Sequence, residues 1–218
     1  MRKILVSILS IGIILALLGV GTIAYFSDSE TTSATATAGI INLQVDGSDT
    51  WSETYHIDDI KPCRVRYIPL ITLHLEEGTN PARIWFHIKN IVDRAGETSD
   101  AELEADPSNE INNISDQILV DLHLKYWQCG SSSQGGCSCE KWIITEDDQL
   151  TLKDLECQYI NLTYDLCGDT YEIFEPCHDI EISISLHLKG DAGNEYQGDS
   201  TTFDIEFYAE QVDGPGPQ

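Results

Sequence analysis

After residue 24, no stretch of this chain carries a sustained helical stripe of apolar residues, and this limits the folds open to it. What recurs is an apolar residue at every second position. Ile180, Ile182, Ile184, Leu186 and Leu188 alternate without a break, as do Val120, Leu122, Leu124 and Tyr126, and Phe203, Ile205, Phe207 and Ala209. In a strand successive side chains point to opposite faces, so this pattern describes strands buried on one face and wet on the other. Gly- and Asn-containing turns divide them, among them Asp46-Gly47-Ser48-Asp49, Glu76 to Pro81 and Gly190 to Gly198. Many short alternating strands predict an all-β, antiparallel sandwich or jelly roll.

The remaining segments fit this frame. Ile40 to Val45 reads as a strand. Val65 to Leu75 reads as one long strand with Tyr67, Pro69, Ile71, Leu73 and Leu75 on a common face, the proline suiting an edge or a bulge. Ala82 to Val92 follows, with Ile84, Phe86, Ile88 and Val92 inward. Residues 93–116 break the periodicity and are expected as an exposed insertion with a short helix near Asp100–Ala105. Trp142 to Thr145 and Thr151 to Glu156 read as short elements. Cys157 to Leu166 reads as a strand burying Tyr159, Leu162 and Tyr164, and Tyr171 to Phe174 as a brief one. The Gly/Pro-rich 212–218 reads as a flexible tail.

The start of the chain is different. Met1-Arg2-Lys3 is basic, Ile4 to Ala24 contains no charge, and the run narrows to Gly21-Thr22-Ile23-Ala24 before the acidic Ser27-Asp28-Ser29-Glu30. This is the pattern of a secretory signal helix, with cleavage between Ala24 and Tyr25 because Thr22 and Ala24 are small. The uncharged stretch is 21 residues long, enough to span a bilayer if uncleaved. Cleavage leaves 194 residues, and the loss of Arg2 and Lys3 takes the net charge from −25 to −27. Such a surface repels nucleic acid and anionic lipid, so no nucleic-acid partner is expected, and a membrane is met only through the signal segment.

Seven cysteines, Cys63, Cys129, Cys137, Cys139, Cys157, Cys167 and Cys177, read first as disulfides in an exported chain. The odd count leaves one thiol free, intermolecular or metal-bound. Cys137-Ser138-Cys139 with Cys129 and Cys177-His178 is the alternative, a soft-metal site, but CxC without a second matched pair is a weak pattern. His74, His87, His123 and His187 fall inside strands, where they are expected to face solvent or to be structurally satisfied. Asp46–Asp49 and Asp191–Glu195 gather oxygen donors in turns, which admits calcium but is equally ordinary turn composition. No other cofactor is indicated. Asn113-Ile114-Ser115 and Asn161-Leu162-Thr163 are glycosylation acceptor patterns. The chain has no HExxH, GxSxG or phosphate-binding loop, so no catalytic residue is assigned.

Gly19-Val20-Gly21-Thr22-Ile23-Ala24-Tyr25-Phe26-Ser27-Asp28 resembles the signal junction of the TasA/camelysin family, which is processed by a SipW-type peptidase. Ala38-Gly39-Ile40-Ile41-Asn42-Leu43 is similar to the family's AGxLDL segment. Ile60-Lys61-Pro62 sits where members carry an LKPGD turn, with Cys63 in place of the glycine. Asn194-Glu195-Tyr196-Gln197-Gly198-Asp199-Ser200, followed by Phe203, Ile205, Phe207, Ala209 and Gln211, resembles the closing NxYQGDS-strand-AxQ signature. The centre, 93–178, departs from the pattern as a loop-rich, cysteine-containing elaboration of a 39–211 domain. The resemblance implies a jelly-roll subunit of extracellular fibres, biofilm matrix or bundling pili, in which identical subunits exchange donor strands. Residues 25–38 are the expected donor. Ala34, Ala36 and Ala38 alternate with hydroxyl residues, and Tyr25 and Phe26 are the aromatic anchors. Such a segment has little to bury by itself but can extend an open edge. The other readings are a monomeric cell-surface binding module and a camelysin-like metalloendopeptidase.

Protein recovered from the medium should begin at Tyr25 or within a few residues of it. N-terminal sequencing that returns Met1 would mean an anchored protein instead.

Overall fold

The computed structural model describes residues 40–58, 60–62, 64–96, 100–105, 107–108, 113–129, 139–168 and 173–217, less the side chains of Glu102 and Cys167, together with the backbone of Ser27–Ser29. The signal helix, the cleavage pair Ala24 and Tyr25, and the donor residues Phe26, Ala34, Ala36 and Ala38 lie outside the described residues, as do Cys63 and Cys137.

The fold is mostly β, in two antiparallel sheets. In the first, β11 (Ser200–Gln211) pairs along its length with β6 (Ala82–Arg94), and β6 also carries the two-residue β9 (Ile160–Asn161). The other edge of β11 is shared by β3 (Thr54–Ile57) and β1 (Ser27–Ser29). In the second sheet, β10 (Asp179–Leu188) pairs in full with β7 (Ile118–Trp127), which pairs with β8 (Cys139–Ile144). Two strands, β4 (Val65–Tyr67) and β5 (Ile71–Leu75), share the other edge of β10, and β2 (Leu43–Val45) flanks β5. Two short helices, α1 (Asp100–Ala105) and α2 (Leu152–Glu156), lie in the connections.

The alternation seen in the sequence is the core. Ile84, Phe86 and Ile88 of β6 and Phe203, Ile205 and Phe207 of β11 are buried from one sheet; Val120, Leu122, Leu124, Ile180, Ile182, Ile184 and Leu186 are buried from the other. Each such side chain contributes about 1.5–3 kcal/mol relative to exposure. Phe86 and Phe207 rings lie 5.9 Å apart, and Trp51 reaches Phe207 at 5.8 Å. The Asp46-Gly47 turn is a two-residue hairpin with reciprocal 3.0 Å hydrogen bonds between Val45 and Ser48. Both central residues have positive φ, 51° and 74°, and glycine at the second position accepts this without strain.

Several expectations are corrected. Val65 to Leu75 is not one strand. Pro69 cannot donate to a ladder, so the chain breaks at 68–70; Ile68 turns inward, its NH donating to the Ile184 carbonyl at 3.0 Å, while Tyr67 and Pro69 are exposed. Val92 also faces solvent. Asn90 (φ 55°) and Ile91 stand together against Phe203 in a β-bulge, and the extra residue reverses the phase of everything beyond it. Cys157 to Leu166 yields only β9. There Leu162 is buried, but Tyr164 is exposed and Tyr159 lies half-buried, stacked on His87 at 4.3 Å. The insertion over 93–116 is not exposed throughout, because Ile114 and Ser115 at its end are buried. Helix α2 replaces the undefined element at 151–156: Thr151 and Asp154 cap it reciprocally, Thr151 Oγ1 accepting the Asp154 NH at 3.1 Å and Asp154 Oδ2 accepting the Thr151 NH at 3.0 Å. Those bonds hold the Asp154 carboxyl below its usual range.

Phe207→Ala should lower unfolding stability by about 3–5 kcal/mol in denaturant titration, since the site is fully buried between aromatic neighbours. Val92→Ala, on the solvent side of the bulge, should change it by under about 0.5 kcal/mol.

Candidate assembly edge

The outer edge of β11 is where the beginning of the chain meets the end of the domain. Ser27, Asp28 and Ser29 stand opposite Glu210, Ala209 and Tyr208, three register pairs in all. Farther along, β3 holds the same edge more firmly. Tyr55 stacks on Phe203 at 5.7 Å, and Thr54 Oγ1 donates to Asp204 at 2.6 Å. Burial, reinforced by the hydroxyl's bond to Glu53 at 2.9 Å, pushes the Tyr55 phenol well above its ordinary value. Glu210 is a buried carboxylate satisfied by Trp85 Nε1 at 3.2 Å and the Gly216 NH at 3.1 Å. The second bond fastens the tail expected to be loose, bringing Gly216 against the Trp85 ring.

Two of the motif turns quoted above come together. Ile60, Lys61 and Pro62 and the Asn194–Gly198 turn line one groove of about 310 Å³ with Leu188 and Ala192, and Pro62 bridges to Leu188. Sequence distance hides this, because the turns are more than a hundred residues apart. Among the described residues β4, the start of the strand expected over Val65–Leu75, is paired to β10 on one side only, and Lys61, Arg64 and Arg66, none of them an expected site residue, cluster at it. The signal was present as the densest run of positive charge in an acidic chain.

The cysteines divide. Cys129 and Cys177 form a disulfide, Cα–Cα 5.0 Å, tying the end of β7 to the turn before β10. Cys139 is disulfide-bonded as well. Cys157, one of the disulfide candidates, is free and exposed at the C-terminal cap of α2, with no described cysteine brought to it, as the odd cysteine count allows. Next to the first bridge, Tyr126 Oη lies 2.6 Å from His178 Nδ1, and burial holds His178 below its ordinary pKa, so the phenol donates to the neutral ring.

The strand histidines are structurally satisfied. His74 meets Asp179 at 2.6 Å; His87 lies 3.3 Å from Glu206 and 3.0 Å from the Glu156 carbonyl; His123 packs on Trp142 at 4.6 Å; His187 bonds Asp121. Among the described residues no group of three or more His, Cys, Asp or Glu is placed to hold a metal ion. Asp46 uses Oδ1 to accept the Thr72 NH at 2.7 Å, a turn-stabilising bond. Of the acceptor patterns, Asn113 is exposed, whereas Asn161 Oδ1 accepts the NH and hydroxyl of the buried Thr163 at 2.9 and 2.8 Å.

Non-reducing peptide mapping should recover Cys129 linked to Cys177 and Cys157 alkylated. With 48 residues between the ends, reducing that bridge should cost about 4 kcal/mol in denaturant titration on the chain-entropy estimate.

No match was found among curated proteins. Residues 1–67, about the first third of the chain and ending with β4, match the family described as camelysin metallo-endopeptidase. This is the TasA/camelysin family that Gly19–Asp28 and the segments after it resemble.

Proposed function

We propose that the mature chain is a secreted structural subunit of an extracellular filament, of the biofilm-matrix or bundling-pilus kind, built from identical copies by donor-strand exchange. On this reading the antiparallel sandwich is a jelly roll and the protein is not an enzyme. The observation that carries it is the unequal hold on the beginning of the chain. A core runs from Leu43 to Ala209, while Ser27–Ser29 attach through three register pairs at a sheet edge. A contact so short is cheap to exchange for a longer one on a neighbour, since the alternating segment 33–38 extends the ladder without overfilling a groove. A donor taken from the next subunit makes the contact head-to-tail, and repetition gives an open filament.

The family's description favours a second reading, a metallo-endopeptidase. That activity needs ligands in a metal-holding set with an activated water. The sequence offers no HExxH, and the described histidines are engaged with carboxylates, a carbonyl, a phenol and an indole. Casein hydrolysis abolished by a chelator would establish the protease.

Deleting Tyr25–Ala38 should give a soluble, folded monomer by light scattering and circular dichroism. Ala36→Pro should do nearly the same, because it removes a ladder donor. Filaments of unchanged width from the deleted chain would place the assembly interface elsewhere.

A further inference from the structure

The open edge of β4 combines three features. Its backbone pairs with β10 through Val65–Tyr67 and with no other strand among the described residues. Its apolar side chains are exposed to a degree unusual for a strand: Val65 43%, Tyr67 72%, and Leu70 just beyond at 54%. And three of the chain's twelve basic residues, Lys61, Arg64 and Arg66, line a groove of about 200 Å³ beside it, where Asp58 is the one acidic wall residue among the described residues. Asp58 is already turned toward His56, 3.8 Å away. Arg64 and Arg66 make no ion pair among the described residues.

We infer that this edge receives the acidic leading segment, Ser27–Glu30, of a second copy of the chain. The inference rests on the filament reading and names the receiving strand. Arg64 and Arg66 are two residues apart, and so are Asp28 and Glu30. An antiparallel ladder with Arg66 opposite Asp28 therefore sets Arg64 opposite Glu30, each carboxylate facing a guanidinium. The same register places Ser27 against Tyr67 and carries Phe26 and Tyr25 on toward Ile68 and Pro69, next to the exposed Tyr67 and Leu70.

Charge distinguishes this edge from β11. β11 contains Asp204, Glu206 and Glu210 and no basic residue, and Glu210 is the charged residue of the stretch that registers with Ser27–Ser29. At β4 the sign is reversed. Main-chain bonds supply the affinity at either edge, and the charges decide between them. The arginines also keep the edge from pairing with its own copy, since like charges directly opposite are unfavourable.

The test is fluorescence anisotropy of a labelled Tyr25–Ala38 peptide on the secreted protein at 50 mM and 500 mM NaCl, with electron micrographs taken in parallel. R64E/R66E, both at exposed positions, should fold as wild type by circular dichroism and bind the peptide about tenfold or more weakly at low salt. A peptide carrying D28K/E30K should regain affinity for that variant and lose it for wild type, and high salt should narrow all differences. Equal affinity of the native peptide for both proteins, no binding to wild type, or failure of the charge swap would each overturn docking at β4. Micrographs judge the filament reading separately: wild-type filaments together with unchanged peptide affinity for R64E/R66E would remove only the β4 assignment.

Discussion

The structure depends on burying two strand faces against each other. Every second side chain of β6, β7, β10 and β11 is apolar, and the four strands present these residues to one shared interior. The drive is non-directional, but the strand period makes it selective. A slip of one residue in any ladder would turn Phe86, Phe203 or Phe207 out to water. The bulge at Asn90–Ile91 is absorbed because it lies toward the far end of β6, beyond Ile88.

A two-sheet sandwich has edges, and here they are treated differently. On the first sheet, β3 covers Thr201–Asp204 of β11 with aromatic stacking and a side-chain hydrogen bond, and β1 pairs with Tyr208–Glu210. On the second, β4 is three residues long, carries Arg66 at its centre with Arg64 just before it, and is followed by Pro69, the usual devices for keeping an edge from indiscriminate pairing. Yet Val65, Tyr67 and Leu70 leave apolar surface there that a fully protected edge would not show. On the proposed assembly, an edge closed to most strands and open to an acidic one would have the selectivity that ordered polymerisation of a strongly acidic subunit requires.

Much of this architecture was legible in the sequence. The long strands were, because ten or more alternating residues leave no other solution; β7, β10 and β11 lie where their periodicity places them. The short helix at Asp100–Ala105 was legible from the loss of that periodicity. Less visible were features set by single residues acting through the backbone. Pro69 splits a run that otherwise alternates cleanly, and Asn90 reverses the phase in mid-strand. Tyr159 and Tyr164 looked like core residues because size and alternation cannot tell a strand from a loop draped over one. The Cys129–Cys177 pairing, the free Cys157 and the meeting of Ile60–Pro62 with Asn194–Gly198 are matters of distance in space, which spacing along the chain does not encode. Of the proposed assembly edge, the sequence suggested a donor segment but not a strand to receive it.

The central claim is that this subunit polymerises head-to-tail through the segment freed by signal cleavage. Negative-stain electron microscopy of the purified mature protein tests it most directly. The account predicts long, unbranched filaments one subunit wide that lengthen with protein concentration. Uniform particles of about 24 kDa or smaller at every concentration, with no filaments, would contradict it.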